Sequence, residues 1–392
     1  MIEEKSNSTA PSLVLWESAT ADPVAAKIAI TGDFLPAGAI DVPAPYGWRT
    51  AATALASHFD DIVLSFVNLE CPLQTENLPP RKLCGLGQIV SAPASVLDYL
   101  DEIRARIVGI SNNHAYDYGH EGVARARHAI EARQMIPLGA GRTLSDTPDV
   151  FVAQIPGDIR VGFWAAARAS HDLATTKSHG CEPATIARAT QALASIKSQG
   201  AHLSIALLHA GCLRTNRADP EEVRLMDALA DCGFTIVAAS HSHRIAGAKQ
   251  VQLRGRDAAA SFCFYGLGSI ASGYIASPLE REGLIVVVSA DSSGKLVRVE
   301  VRPVLLSASG FGQVPSPQAS CQILERFRSL SAEFTDGSAT HLFYRDVSHG
   351  LLHLYARDAR AAFRESGIRG LARKISRVRV RHIRRAAHRL LA

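Results

Sequence analysis

The stretch from residue 203 to residue 243 reads LSIALLHAGCLRTNRADPEEVRLMDALADCGFTIVAASHSH. Its apolar runs Leu203–Leu208 and Phe234–Ala239 predict two buried strands. Between them, Asp219–Asp231 predicts a helix, because it starts with Asp-Pro and is followed by Gly233. A strand, a helix and a second strand in this order are typical of a parallel sheet in an α/β fold.

The same alternation begins near residue 25, and five of the predicted strands end in polar side chains of similar chemistry. In an open α/β sheet, ligands bind at the edge formed by the carboxyl ends of the parallel strands. We therefore expect these side chains to meet at one site. In chain order they are Asp33, then Asn68 and Glu70, then Asn112, Asn113, His114 and Asp117, then His209, and finally Ser240, His241 and His243.

The chemistry of this set matches the ligands of transition metals. Carboxylates, a carboxamide and imidazoles mix oxygen and nitrogen donors, which suits Zn, Mn, Fe or Co rather than an all-oxygen calcium site. A bridging carboxylate can hold two such ions roughly 3.5–4 Å apart, and the pair can activate water. In His241-Ser242-His243, residues two apart lie on the same face of an extended chain, so both rings can reach one site.

Each segment on its own has a simpler interpretation. A strand-end aspartate such as Asp33 is commonly a turn or cap residue, and His209 could be a hydrogen-bonded histidine of the core. The pair Asn112-Asn113 could form a turn, and Glu70 could be a solvated loop carboxylate. The succession of five such segments at five predicted strand ends favours one shared site.

Seven short motifs, in this order, give the chain a resemblance to a known family. They run over about residues 27–305, and the asparagine–histidine motif is the most specific. The chain resembles the CapA-type capsule-synthesis proteins, which are linked to poly-γ-glutamate, within the metallophosphoesterase-like superfamily. The matching segments are Thr31-Gly32-Asp33-Phe34-Leu35, Val67-Asn68-Leu69-Glu70-Cys71-Pro72-Leu73, Ser111-Asn112-Asn113-His114-Ala115-Tyr116-Asp117-Tyr118-Gly119, Gly139-Ala140-Gly141, His209-Ala210-Gly211, Ser240-His241-Ser242-His243 and Tyr265-Gly266-Leu267-Gly268-Ser269.

The resemblance implies a four-layer α/β/β/α sandwich of the metallophosphoesterase type, with two mixed sheets flanked by helices. It also implies two divalent metal ions (Mn, Fe or Zn) bridged by Glu70. His114 would be the catalytic acid or electrostatic partner, and Asp117 would orient it. By position, one ion would be bound by Asp33 and His243, and the other by Asn113, His209 and His241.

The chain departs from the family pattern at several positions, and these leave two functions open. Leu35 stands where phosphoesterases usually have a histidine, and the run after His209 lacks the family's aromatic residue and glutamate. Ser240 replaces a glycine and Ser269 an asparagine. The resemblance therefore implies either a metal-dependent hydrolase of capsule or surface-polymer synthesis, or a non-catalytic accessory protein that binds metal or an anionic polymer.

Length and composition suit a globular protein with a large core: the chain has 392 residues, of which 47% are hydrophobic and 20% charged. Its seven cysteines include no CxxC pair, which argues against a disulfide framework or a thiolate zinc site. The N-terminus has no basic segment followed by a long apolar run, so we expect a cytoplasmic protein. The predicted segments are a flexible leader over 1–24, a CapA-like metallophosphatase domain over 25–306, a helical extension over 307–365 and a basic amphipathic tail over 366–392.

The positive charge is concentrated in that tail. Nine Lys or Arg and no acidic residue lie between Ile368 and Ala392, and removing them from the net charge of +5 leaves −4. Apolar residues recur there at helical spacing, which predicts either a helix packed on the body or attachment to the anionic inner face of a membrane. No aromatic side chains interleave with the arginines, which argues against nucleic-acid binding. We expect an anionic substrate or polymer as the partner.

Overall fold

The computed structural model describes residues 12–19, 22–38, 47–73, 78–80, 90–168, 170, 172–252 and 260–346. The helices are α1 (Gly47–Ala56), α2 (Leu97–Glu102), α3 (Gly119–Glu131), α4 (Ile186–Ser198), α5 (Pro220–Cys232) and α6 (Pro317–Thr335). The strands are β1 (Leu13–Glu17), β2 (Val24–Gly38), β3 (Leu64–Leu69), β4 (Ala105–Gly109), β5 (Ile136–Leu138), β6 (Ala140–Arg142), β7 (Val150–Ile155), β8 (Ile159–Ala167), β9 (Gly180–Cys181), β10 (Leu203–Ala210), β11 (Ile236–His241), β12 (Ala248–Gln252), β13 (Ala260–Phe264), β14 (Ser269–Gly273), β15 (Glu282–Asp291), β16 (Leu296–Leu306) and β17 (Gly312–Gln313).

Most strands belong to two mixed sheets. The first has nine strands in the order β1-β16-β15-β2-β3-β4-β5, with β14 added to β2 and β17 to β16. Strands β2 to β5 are parallel, whereas β15, β16 and β1 run antiparallel to their neighbours. The second has six strands in the order β12-β13-β11-β10-β8-β7, with a parallel centre and antiparallel outer strands.

Three apolar clusters show that the sheets and helices form four layers. The central cluster joins the facing sides of the two sheets, for example Phe66 of β3 and Phe163 of β8, whose rings meet edge to face at 5.4 Å. A second cluster lies between the nine-stranded sheet and helices α1 to α3. A third lies between the six-stranded sheet and helices α4 and α5. The α/β fold class and the α/β/β/α layering are therefore confirmed.

Local sequence explains why helix α5 ends where predicted. The Asp219 side chain accepts a hydrogen bond from the backbone nitrogen of Glu221 at 2.8 Å, and Pro220 occupies the first helical position. At the other end, Gly233 has a left-handed backbone with φ of 113°, which closes the helix. These two signals place α5 between β10 and β11, so both strands run parallel and end at the same edge.

The prediction of a flexible leader over 1–24 is wrong. Late in the chain, β15 pairs with the first half of β2, which would otherwise have an unpaired edge at the centre of the molecule. The leader predicted over 1–24 includes β1, which pairs with β16 because Leu13 and its apolar neighbours pack on the central cluster. The strand is apolar from Leu13 to Trp16, but its partner β16 lies far along the chain, so the local sequence did not reveal the pairing.

The segment after residue 306 continues the same body. Helix α6 packs Ile323, Phe327 and Leu330 into the central cluster, and β17 pairs with β16. The predicted tail over 366–392 lies outside the described residues. The part of the predicted helical extension that follows residue 346 also lies outside them. Among the described residues, no helix has the length and apolar character needed to cross a membrane.

His58 is a buried histidine that makes the stability of the fold depend on pH. Its Nε2 donates a hydrogen bond to the carbonyl oxygen of Pro303 at 2.8 Å, and its own carbonyl oxygen accepts one from Arg302 at 2.6 Å. Burial, aided by the positive charge of Arg302, outweighs the hydrogen bond to Pro303 and lowers the pKa of His58 from 6.5 to about 4. The folded chain therefore keeps this ring neutral in mild acid.

We expect the free energy of unfolding to fall as the pH drops from about 6.5 to about 4, because the unfolded chain binds a proton on His58 that the folded chain excludes. The contribution of this residue is about 1.4 kcal/mol per pH unit. His58→Gln, which retains a donor, should remove that contribution. Urea denaturation at neutral pH and at about pH 5 measures the difference; an equal loss in both proteins would contradict the buried neutral ring.

Candidate metal centre

The predicted site residues meet where the parallel strands of the two sheets end. In the nine-stranded sheet, β2 carries Asp33 and its neighbour β3 is followed directly by Glu70. In the six-stranded sheet, β10 carries His209 and its neighbour β11 ends at His241. Asn113 follows β4. The two sheets thus bring side chains from five strand ends to one place.

Gly32 marks the closest approach of β2 to the chain that precedes β14. The backbone nitrogen of Asp33 donates to the carbonyl oxygen of Gly268 at 3.0 Å. A Cβ on Gly32 would lie 2.0 Å from that oxygen, so only glycine fits. Strand β2 pairs with β15 before this point and with β14 after it. The glycine lets β2 change partners at the residue before the aspartate of the site.

Glu70 lies between two sets of potential metal ligands. Within each set, the ligand atoms lie within 4.8 Å of one another. Oε1 of Glu70 is 3.4 Å from Nε2 of His209 and 3.9 Å from Nδ1 of His241. Oε2 of Glu70 is 3.6 Å from Nε2 of His243. The two sets are Glu70, His209 and His241, and Asp33, Glu70 and His243.

Asn113 extends the first of these sets. Its Oδ1 lies 2.6 Å from Nε2 of His209, at hydrogen-bond distance. In the second set, Nδ1 of His243 lies 3.4 Å from Oδ2 of Asp33. The two sets divide the residues in the way that the resemblance implies, with Glu70 common to both. Their roles as ligands remain a prediction.

The donor atoms fit divalent cations. With bonds of about 2.0–2.2 Å, two ligand atoms on opposite sides of one ion are about 4.4 Å apart, which is close to the spread of each set. Oε2 of Glu70 and Nδ1 of His241 are buried and have no hydrogen-bond partner among the described residues. Buried polar atoms without a partner are costly. A cation bound by each set would satisfy both atoms.

The charges in the site favour a cation for the same reason. Asp33 and Glu70 are 0% and 1% exposed. Burial alone would raise the pKa of Glu70, but His243 and His209 hold it well below its ordinary range. Burial alone would lower the pKa of His243, but Glu70 and Asp33 raise it to about 9. Burial lowers the pKa of His209. Two buried carboxylates therefore need positive charge beside them.

The backbone after β11 is strained at both histidines of the pair. His241 has φ of 106° and His243 has φ of 55°, values that residues other than glycine seldom adopt. The backbone nitrogen of His241 donates to Oδ2 of Asp33 at 2.8 Å, which holds this conformation. Strain that persists in a packed site is commonly associated with function. The sequence pattern alone placed both rings on one face but did not reveal the strain.

Asn68 is a site residue that stands at a predicted strand end but was not among the predicted ligands. Its Nδ2 donates to Oδ1 of Asp33 at 2.7 Å and lies 3.2 Å from Nδ1 of His209. Nδ2 of Asn112 lies 3.4 Å from its Oδ1. Asn68 thus links the two sets and orients one residue of each. Its position near the end of β3, between two strands that lead to predicted ligands, was the available signal.

Two of the departures from the family pattern still supply contacts to the histidines. Oγ of Ser240 lies 3.5 Å from Nδ1 of His209, and Oγ of Ser269 lies 3.3 Å from Nδ1 of His243. The serine hydroxyls can therefore orient these rings. Leu35, by contrast, is buried in the cluster beneath helices α1 to α3 and contributes no donor to the site.

His114 and Asp117 form a pair beside these sets. Nδ1 of His114 lies 2.9 Å from Oδ2 of Asp117, and the His114 side chain is 16% exposed. Oδ1 of Asn112 accepts the backbone nitrogen of His114 at 3.1 Å. Burial opposes protonation, but the hydrogen bond that His114 donates to Asp117 and the charges of Glu70 and Asp117 raise the pKa of His114. The other ring nitrogen, Nε2, has no protein partner within hydrogen-bond distance among the described residues.

We expect wild-type protein incubated with Mn²⁺ to retain about two ions per chain, and Glu70→Ala to retain fewer than one, because both sets lose the shared carboxylate. His243→Ala should lose one ion and keep the other. Elemental analysis after gel filtration measures the content. His128→Ala, which removes an exposed histidine of α3, is the matched control and should bind as the wild type does. Full retention by Glu70→Ala would contradict the shared site.

We expect Asn68→Ala to weaken Mn²⁺ binding by about 10–100-fold, the effect typical of losing a residue that orients metal ligands. The number of ions bound at saturation should stay the same, because no ligand is removed. Isothermal titration calorimetry measures the affinity, and Gln154→Ala, an exposed carboxamide on β7, is the control. Unchanged affinity in Asn68→Ala would show that Asp33 and His209 are oriented without it.

The chain matches a known protein family and a capsule biosynthesis protein. The family described as "Bacterial capsule synthesis protein PGA_cap" matches residues 27–274. The capsule biosynthesis protein CapA of Bacillus anthracis is 24% identical over 182 residues, which cover 45% of this chain and 44% of CapA. The chain thus matches less than half of the length of that relative.

Solved structures similar to this chain include a Bacillus subtilis calcineurin-like phosphoesterase, YfkN, and the Haemophilus influenzae NAD nucleotidase, NadN. YfkN is 12% identical with a TM-score of 0.41, and the match covers 79% of this chain and 98% of YfkN. NadN is 10% identical with a TM-score of 0.42, and the match covers 78% of this chain and 62% of NadN.

The family match spans more than half of the chain, from β2 to the end of β14, and includes every predicted site residue. The chain therefore belongs to the family of bacterial capsule synthesis proteins, PGA_cap.

Proposed function

We propose that this protein is a metal-dependent hydrolase with a two-metal site of the phosphoesterase type, acting in the synthesis of a capsule or a poly-γ-glutamate-like surface polymer. The family match supports the link to capsule synthesis. The match covers 44% of CapA, so the activity of that relative does not transfer as a whole.

The observation that carries the proposal is the shared carboxylate of Glu70. A carboxylate with one oxygen facing His209 and His241 and the other facing His243 can bridge two ions. Asp33 and His243 would complete one site, and Asn113, His209 and His241 the other. Ions held in this way, of which Mn, Fe and Zn suit the mixed donors, would polarise the scissile group and lower the pKa of water.

The protein's own contribution to proton transfer would come from His114. Asp117 occupies its Nδ1 side, which leaves Nε2 as the nitrogen that can protonate a leaving oxygen or nitrogen. Oδ2 of Asp117 also accepts the backbone nitrogen of Val90 at 3.1 Å, so this carboxylate is itself fixed. The hydrogen bond to Asp117 and the charges of Glu70 and Asp117 raise the pKa of His114, which favours the protonated ring. A phosphoester, or an amide of a glutamyl polymer, is the substrate class proposed.

A second candidate function is a non-catalytic accessory protein of polymer synthesis or export. It is favoured by Leu35, because among the described residues the set on that side of the centre is Asp33, Glu70 and His243. An ion held by three donors could bind an anionic polymer without turning it over. In either case we propose a cytoplasmic protein at the inner membrane face, to which the basic tail over 366–392 would attach.

We expect His114→Gln to lower kcat for an aryl phosphate diester by about 10²–10⁴-fold, the usual contribution of a general acid, with unchanged metal content. Asp117→Asn should lower kcat less, because the acid remains but is less well oriented. Steady-state kinetics with Mn²⁺, alongside elemental analysis, measures both quantities. His128→Gln serves as the control, since this exposed histidine lies on the helix that follows the site.

The same assay separates the two candidate functions. Hydrolysis by the wild type that disappears in His114→Gln supports the enzyme. Bound metal without hydrolysis of either phosphodiesters or γ-glutamyl amides contradicts it and supports the accessory role.

A further inference from the structure

Two arginines follow the strands that carry the histidines. Arg214 lies in the loop after β10. Its backbone nitrogen donates to the carbonyl oxygen of Ser242 at 2.9 Å, and Ser242 lies between His241 and His243. Arg244 directly follows His243. Both loops leave the carboxyl edge of the six-stranded sheet, so the two arginines lie next to the metal centre along the chain.

Glu280 holds both guanidinium groups. Its Oε1 lies 3.4 Å from Nη2 of Arg244 and 3.7 Å from Nε of Arg214. Its Oε2 accepts the backbone nitrogen of Ala276 at 2.8 Å, and Oε1 also accepts the hydroxyl of Ser277 at 3.2 Å. Glu280 is 2% exposed. One buried carboxylate therefore faces two guanidinium groups, and its single negative charge cannot neutralise both.

Arg244 has donors to spare. A guanidinium has five N–H groups, and Arg244 uses Nη2 on Ser277 and Glu280 and Nη1 weakly on Asn216, at 3.5 Å. Its Nε is buried and has no partner among the described residues. Its side chain also lines a groove of about 850 Å³ that extends towards helix α6. The side chain of Arg244 therefore borders space that a ligand can enter, and its Nη1 makes only one long contact.

Arg214 is held in place by its backbone rather than by side-chain hydrogen bonds. It has φ of 62°, an uncommon conformation for a residue other than glycine. Its side chain is 53% exposed, and its one close contact in the described residues is the 3.7 Å ion pair with Glu280. A strained loop thus presents a nearly free guanidinium on the side of Glu280.

We propose that Arg214 and Arg244, which both face Glu280, form an anion subsite that binds a second anionic group of the substrate, a carboxylate or a phosphate, beside the group held at the metal centre. This inference rests on the proposed function for the first group only. Guanidinium groups recognise carboxylates and phosphates through paired hydrogen bonds. The site would therefore select substrates with two or more anionic groups over substrates with one.

The subsite is tested by binding rather than by turnover. Isothermal titration calorimetry with Mn²⁺-loaded protein would use three probes: orthophosphate, tripolyphosphate and a γ-linked glutamate hexamer. The variants are Arg214→Gln, Arg244→Gln and, as the matched control, Arg49→Gln. Arg49 lies on α1, is 59% exposed and also pairs with acidic side chains. It belongs to the helices that cover the nine-stranded sheet, whereas Arg214 and Arg244 follow strands of the six-stranded sheet.

We expect Arg214→Gln and Arg244→Gln each to weaken binding of at least one polyanionic probe by about 10–100-fold, as the loss of a charge-assisted hydrogen bond predicts. Orthophosphate binding should be unchanged in both and lost in Glu70→Ala. The probe that shows the loss identifies a carboxylate or a phosphate as the second group. Arg214→Gln removes an exposed side chain, so its result stands even if Arg244→Gln fails to fold.

The outcomes separate this subsite from the proposed function. Equal binding of both polyanions by wild type and the arginine variants, or no binding by the wild type, overturns the subsite and leaves the hydrolase untouched. Weaker polyanion binding in the variants of a protein that hydrolyses nothing supports the subsite and contradicts the hydrolase.

Discussion

The carboxylate of Glu70 is almost fully buried, and one of its oxygens has no hydrogen-bond partner among the described residues. In a protein interior, such a charge is stable only beside positive charge. The surrounding structure provides it on two sides, with His209 and His241 facing one oxygen and His243 the other. Two bound cations would meet the same requirement. The positions of the three histidines around Glu70 follow from this need for positive charge.

The fold serves this requirement by joining two sheets at their carboxyl edges. The nine-stranded sheet supplies the carboxylates of the two sets, and the six-stranded sheet supplies their imidazoles. The strand that carries Asp33 can pass close to Gly268 because Gly32 has no side chain. Asn68 then ties the two sheets together by contacting Asp33 and His209. Mixed donors from separate layers can be held this closely only if the layers are fixed to each other, and the central apolar cluster does that.

Much of this was readable in the sequence, since strand ends converge in α/β folds and the polar residues stand at those ends. The α/β class, the layers and helix α5 were predicted, and the predicted ligands lie together. Pairing across the sheet was not predictable: β1 is short and pairs with β16 far along the chain, and β15 joins β2 through contacts some 250 residues apart. The contacts of Asn68, Ser240 and Ser269 depend on side-chain directions that periodicity does not encode. The positive φ values of His241 and His243 are likewise not encoded in the sequence pattern.

The most direct test of the shared carboxylate is anomalous diffraction from crystals of the Mn²⁺-loaded protein. The account predicts two anomalous peaks roughly 3.5–4 Å apart, on either side of Glu70, with Asp33 and His243 at one peak and Asn113, His209 and His241 at the other. A single peak, or peaks away from Glu70, would contradict it.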